Sequence, residues 1–378
     1  MRILFTSTTG LGHLLPVLSL AEAASSAGHT VQVSTPAPHA DRVAARGLTW
    51  HEMVMPTQAQ RDDVWRRAAE PEQAGAQIFG RLNPTAALPG LEVLVRDWRP
   101  DLVVSEGGEY AGDLAAERAG IPIVRVHPGL VLGHHWDRMV APVLFSVRAG
   151  LGLDADVTEQ WLVGAPQVSY FPREFDHGPE SAAVLRARRP RLPRPAGDRK
   201  PLVYVTFGSE IPGLPMFSST VQAAVTAARR TGCRVLLSVG SADPGRLGDL
   251  TGVEVASWVD QAAVLPRARA VIHHGGAGTT LDALAAGTPT VAVPFFADQP
   301  MNAERLVATG TGLAVPPGPG LTDRLAEALH GVLADEPPGC APMAAAVHRL
   351  PDVGAALALL ERTARTLPAP AVTAGTPA

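Results

Sequence analysis

The chain reads as an α/β protein built from two Rossmann-like domains, and three observations point there. Its 378 residues exceed the roughly 250–300 at which a single hydrophobic core stops growing. Short apolar runs alternate with helical stretches in both halves, as in parallel sheets whose strands are joined by crossover helices. Between them, Arg186 to Lys200 turns to Arg and Pro, with Pro190, Pro193 and Pro195 and no aromatic residue, the composition of an interdomain linker. The expected division is therefore residues 1–185, a linker over 186–200, a second domain over 201–352, a C-terminal helix over 353–367 and a frayed tail over 368–378.

The elements follow in order. Residues 3–7 form an apolar strand; a Gly-rich turn leads to a helix over 14–27 closed by Gly28, and residues 30–34 form the next strand. Residues 102–104 (Leu-Val-Val) read as a strand, 111–119 as a helix stopped by Gly120, and 121–126 as another strand. After the linker, strands are expected at 202–207 and 234–239, with a helix near 221–230 between them. Ala270-Val271-Ile272 is a short buried strand, and Leu281 to Ala286 has helical composition ending at Gly287.

Composition narrows the function. Hydrophobic residues make up 46% and charged residues 18% of the chain, enough for two cores and against disorder over most of the length. A net charge of −4 suggests neither a nucleic-acid partner nor an anionic membrane surface. Cys233 and Cys340, the only cysteines, lack metal-ligand spacing and suit a reducing compartment. No segment reaches the ~20 apolar residues of a membrane span, and a cytoplasmic protein is expected.

The most informative run is His273-His274-Gly275-Gly276-Ala277-Gly278-Thr279-Thr280, followed by Asp282 and by Asp298-Gln299. The glycines fall on a strand-to-helix turn. Without Cβ atoms there, backbone N–H groups can close on an anion, and the helix that follows aims its positive end at the same spot. A diphosphate fits such a turn, with His274 and Thr279 as further donors.

Upstream lies Trp258-Val259-Asp260-Gln261-Ala262-Ala263-Val264-Leu265, and downstream Asp298-Gln299-Pro300-Met301-Asn302-Ala303. Together these segments resemble the donor signature of family 1 glycosyltransferases, whose two Rossmann-like domains face across a cleft in the fold called GT-B. The resemblance implies that Trp258 stacks on the nucleobase, that the Val259 backbone hydrogen-bonds its edge, and that His274, Gly276, Gly278 and Thr279 hold the diphosphate. It also implies that Asp282 accepts from a ribose hydroxyl and that Asp298 and Gln299 hydrogen-bond the sugar. Plant members carry Trp and Asn where this chain has Ala277 and Gly278, so the likeness is to the bacterial branch. Residues 203–209 resemble the family's first donor-domain strand, whose turn would point Ser209 at the diphosphate; taken alone, the run is equally an ordinary strand-ending turn. The family's C-terminal helix crosses back onto the first domain.

Near the N-terminus, Gly10-Leu11-Gly12-His13-Leu14-Leu15-Pro16 places a histidine at the mouth of the first helix. A dinucleotide fingerprint would need a third glycine at Leu15 and an acidic residue where Ser34 and Thr35 stand, so NAD binding is not expected. Gly-His-x-x-Pro resembles instead the family motif whose histidine takes a proton from the acceptor, which makes His13 the candidate base. The family commonly orients it with an Asp after the Pro-Asp-x-Val-Val strand; here Glu106 stands at that place, and Glu109 is near enough to compete.

The resemblance implies an inverting, metal-independent transfer from a nucleoside diphosphate sugar, as in the bacterial enzymes that decorate polyketide and enediyne antibiotics with dTDP-activated deoxysugars. The partners are then the sugar nucleotide and a hydrophobic aglycone, with no resident cofactor. Acceptor recognition is expected in residues 51–90 and 127–150, which hold Trp65, Phe79, His134, His135 and Trp136. A sugar-nucleotide epimerase on the same fold and a non-catalytic sugar-nucleotide-binding protein are the alternatives. The linkage atom, the choice of thymidine over uridine, and a homodimer as against a monomer stay open.

Overall fold

A computed structural model describes residues 1–131, 134–177, 183–208 and 216–365. The described residues pack as two compact units, one within Met1–Tyr170, Gly178–Pro190 and Pro351–Ala378, the other within Phe171–His177 and Arg191–Leu350.

The first unit is a seven-stranded parallel sheet in the order β3-β2-β1-β4-β5-β6-β7. Its strands are β1 (Arg2–Thr6), β2 (Thr30–Thr35), β3 (Thr49–Glu52), β4 (Leu102–Glu106), β5 (Ile123–Val126), β6 (Gln167–Ser169) and β7 (Val184–Arg186). The central strands are apolar because both faces are covered: Ile3, Leu4 and Phe5 and then Leu102, Val103 and Val104 are all fully buried. The helix expected at 14–27 spans Leu11–Ser26. It starts three residues early because the Gly10 carbonyl already accepts from the His13 and Leu14 N–H groups, at 3.2 and 3.1 Å. His13 therefore sits inside the first turn. The C-terminal helix Val353–Arg365 packs on Leu11–Ser26 and on β4 and β5, within this unit.

The second unit is a six-stranded parallel sheet in the order β10-β9-β8-β11-β12-β13. Its strands are β8 (Leu202–Thr206), β9 (Arg234–Ser238), β10 (Val253–Ala256), β11 (Ala270–His273), β12 (Thr290–Ala292) and β13 (Gly312–Ala314). Counted within each unit, strands one to six follow the same 3-2-1-4-5-6 order, whose switch point lies between the first and fourth strands. One main core joins Val203, Val205 and Ile272 to the inner faces of the helices Phe217–Arg229 and Leu321–Ala334.

The observed division differs from the expected boundaries in two places. Val184–Arg186 adds an edge strand to the first sheet, so residues up to Pro190 group with that unit. Phe171–His177 groups with the second unit, where Arg305 donates to the carbonyls of Phe175 (2.7 Å) and Glu174 (3.3 Å). The later linker is pinned: Arg199 reaches Glu336 at 2.9 Å and the Gly287 carbonyl at 2.5 Å. Residues 366–378 lie outside the described residues.

Candidate functional sites

In each unit the chemistry-bearing residues gather at the carboxyl ends of the strands flanking the switch point, where open α/β sheets bind ligands.

In the first unit, the helix after β1 carries His13 and the end of β4 carries Glu106. His13 Nδ1 lies 2.9 Å from Glu106 Oε1; the histidine side chain is 34% exposed and the carboxylate fully buried. The same carboxylate oxygen accepts from the Gly108 N–H at 2.7 Å, which fixes its direction. A carboxylate at Nδ1 favours the proton there and leaves the lone pair on Nε2, the arrangement a general base needs. Glu109 does not take this place. Its carboxylate accepts from the N–H groups of Ala111 (2.7 Å) and Gly112 (3.0 Å), at the N-terminal end of the next helix. Burial pushes it up to about 6, against the hydrogen bonds from Thr6 and those two amides.

Beneath the Glu106 loop, fully buried Arg125 donates to Asp137 at 2.7 Å and to the Gly107 carbonyl at 2.5 Å, with Asp113 at 3.3 Å. Burial pushes Asp113 up to about 7, whereas Asp137, whose main opposing influence is Arg125, sits at about 2. Of the residues expected near an acceptor, Phe79 stacks on the His13 ring at 5.9 Å and Trp136 meets Phe79 edge-on at 5.3 Å. Buried His134 lies 3.3 Å from Asp137, and exposed Trp65 and His135 contribute nothing to this cluster.

In the second unit, β11 ends at His273 and the helix Ala277–Ala286 begins after Gly276 with no side-chain cap, so its first N–H groups are open to an anion. His274 is wedged between two glycines. A Cβ on Gly276 would overlap its Nε2, and one on Gly208, whose φ is 71°, would stand 2.7 Å from its Cε1. Burial outweighs the influence of the Thr206 backbone and lowers His274 to about 4; His273 falls to about 3. Both rings are therefore neutral at pH 7, and His274 offers a donor rather than a charge. One expectation is corrected: the Gly275 N–H is not available to an anion, because His273 Nδ1 accepts it at 3.0 Å.

Thr279 Oγ1 accepts from Gln261 Nε2 at 3.2 Å, which leaves its hydroxyl proton for a ligand. Trp258 presents a large apolar surface, 58% exposed, and Val259 is half-buried against the apolar cluster that includes Tyr204 and Leu265. Asp282 and Asp298 are half-buried on their respective elements. Gln299 is more committed than expected: its side-chain carbonyl accepts from the Phe295 and Phe296 N–H groups at 3.0 and 3.4 Å, so only its amide nitrogen remains to donate. Ser209 lies outside the described residues. Gln261 and Asn302 stand within the donor signature, where the resemblance implies no role for either. Among the described residues, no three His, Cys, Asp or Glu side chains form a metal-holding group. No single helix there is long and apolar enough to cross a membrane.

Comparison with known proteins defines the class. Residues 22–143 match the family model described as erythromycin biosynthesis protein CIII-like, N-terminal domain, and residues 233–351 match its C-terminal counterpart. The chain belongs to this family of bacterial GT-B natural-product glycosyltransferases and is a nucleoside-diphosphate-sugar-dependent, metal-independent glycosyltransferase. Among its relatives, the L-demethylnoviosyl transferase of Streptomyces niveus is 32% identical over 89% of this chain and 91% of that protein. The calicheamicin glycosyltransferase CalG4 superposes with a TM-score of 0.79 at 25% identity, over 96% of this chain and 98% of that one. VinC, solved with dTDP, shares the fold at a TM-score of 0.73 and 24% identity, over 96% and 99% of the two chains.

Proposed function

We propose that the protein is an inverting transferase that moves a deoxysugar from a dTDP-linked donor to a hydrophobic natural-product aglycone. The observation that carries the mechanism is the His13–Glu106 pair, 2.9 Å apart with its carboxylate fully buried. His13 Nε2 takes the proton of the acceptor hydroxyl while that oxygen attacks the anomeric carbon. The bond from that carbon to the diphosphate oxygen breaks, and its electron pair leaves with dTDP. Glu106 holds the imidazole's direction and stabilises the imidazolium that forms.

On the donor side, charge developing on the leaving diphosphate meets the first N–H groups of Ala277–Ala286, including those of Gly278 and Thr279, together with the Gly276 turn, the neutral His274 ring and the Thr279 hydroxyl. Trp258 stacks on the base, the Val259 backbone reads its edge, Asp282 accepts from the ribose, and Asp298 and the Gln299 amide bind the sugar. Support for thymidine comes from VinC, which was crystallised with dTDP. The Phe79–Trp136 wall beside His13 suits an apolar or aromatic acceptor.

Calorimetric titration with dTDP, UDP and NAD in chelator-containing buffer tests the donor assignment. Binding of dTDP in preference to UDP, with no response to NAD, is expected. Preference for UDP would replace the donor, and no nucleotide binding would remove the donor site altogether.

A further inference from the structure

We propose that Asn302 is a positioning residue that registers the sugar-binding carboxylate of Asp298 against the diphosphate turn, so that the two ends of the donor are held in one geometry. The inference rests on the reading of Asp298 as a sugar ligand.

Asn302 lies one helical turn into Gln299–Ala308 and is fully buried. Its side-chain nitrogen donates to the Gly275 carbonyl at 2.8 Å and to Asp298 Oδ2 at 2.8 Å. An amide nitrogen carries two protons, so both are spent, one on each element. The first partner belongs to the turn that opens the diphosphate-binding helix. The second is the carboxylate assigned to the sugar. Because the bond to the turn is made through a carbonyl, it sets the turn's position without consuming an N–H that an anion would use.

The surroundings make this a rigid joint. Gly275 has a φ of 84°, and a Cβ there would stand 2.9 Å from the Gln299 carbonyl, so the turn rests directly on the first residue of the Asn302 helix. Gln299 in turn ties down the backbone of Phe295 and Phe296. Between Phe296 and Gln299, Ala297 is held in the left-handed region at φ 56°, a conformation a non-glycine residue keeps only where its surroundings enforce it. With the loop fixed on one side by Gln299 and on the other by Asn302, the Asp298 carboxylate has a defined place relative to the glycine turn. A hydrogen bond from a neutral amide to this carboxylate is charge-assisted and strongly directional.

Calorimetric titration of the full chain with dTDP and with dTDP-glucose, for wild type, Asn302→Ala, Asp298→Ala and the double variant, tests the inference. Asn302→Ala is expected to leave dTDP affinity within about threefold and to weaken dTDP-glucose about tenfold, the scale of one lost charge-assisted hydrogen bond. In the Asp298→Ala background it should add little, because residues acting through one contact are not additive. Equal losses for dTDP and dTDP-glucose, or effects that multiply in the double variant, would overturn the proposal. A normal Asn302→Ala beside a weakened Asp298→Ala would overturn it while leaving the sugar assignment intact; an Asp298→Ala with unchanged dTDP-glucose affinity would remove both. Should Asn302→Ala fail to fold, Asn302→Ser keeps one donor, and a loss confined to dTDP-glucose remains the expected result.

Discussion

The two units share a strand order and a switch point yet arrive at opposite chemistry. At the end of β1 and β4, the first unit keeps a titratable pair: a partly exposed histidine against a fully buried carboxylate. At the end of β8 and β11, the second buries two histidines as neutral rings and lines the turn with glycines, leaving an uncapped helix N-terminus. On the proposed mechanism, one site moves a proton and the other receives a departing anion. The topology supplies the position of each site, while the few residues after the first and fourth strands decide what it can do.

The greatest loss is expected from the histidine of the first unit. His13→Ala should lower transfer by about 10²–10⁴-fold, the usual worth of a general base, with dTDP affinity unchanged by calorimetry. Glu106→Gln should lower kcat less, by about 10²-fold, since it acts only through the tautomer and direction of the ring. Full activity in His13→Ala would leave the first unit without a chemical role.

Gly276→Ala and Gly278→Ala probe the glycine turn of the second unit. A Cβ at Gly276 would overlap His274, whereas one at Gly278 meets nothing within 4 Å. The first should cost about 1–3 kcal/mol of stability through overpacking and lose dTDP binding. Gly278→Ala should keep its thermal midpoint and lose affinity only where the diphosphate approaches the backbone. Equal midpoints for the two variants would contradict the packing around His274. Trp258→Ala should cost about 1–3 kcal/mol of nucleotide affinity, the range for base stacking on an aromatic, with stability unchanged because the ring is 58% exposed; an unchanged Kd would remove it from the base site.

What the sequence disclosed follows the same physical lines. The buried central strands β1, β4, β8, β9 and β11 announce themselves as apolar runs. β3 mixes Thr, Trp, His and Glu, and β6, β7, β12 and β13 have three residues each, too short for any periodicity. The motifs located His13 and His274. They did not decide between Glu106 and Glu109, three residues apart, because the choice depends on which carboxylate meets the helix after β1 and which meets the N–H groups of Ala111 and Gly112. Nor did the signature show that Gly275 spends its N–H on His273, a contact that exists only once the turn is folded.

The two units should also differ, more modestly, in their response to acid. In the second unit, His273 and His274 are held at about 3 and about 4, below the histidine value of 6.5, chiefly by burial. Unfolding lets each bind a proton, so they lose stability progressively as pH falls below 6.5. In the first unit His127 and His51 are also lowered by burial and pull the same way. There, however, Asp113 at about 7 and Glu109 at about 6 stand above their ordinary 3.8 and 4.5. A raised carboxylate works in the opposite sense: its contribution is lost as pH rises through the folded value and recovered as pH falls toward the unfolded one. Mild acid is therefore compensated in the first unit and uncompensated in the second. Hydrogen exchange corrected for intrinsic rates, compared at about pH 7 and about pH 5, should show the amides of β8 and β11 losing more protection than those of β1 and β4. Equal losses would mean that the neutral histidines are not the acid-sensitive element. His273→Asn, which removes one titrating ring, should narrow the difference between the units.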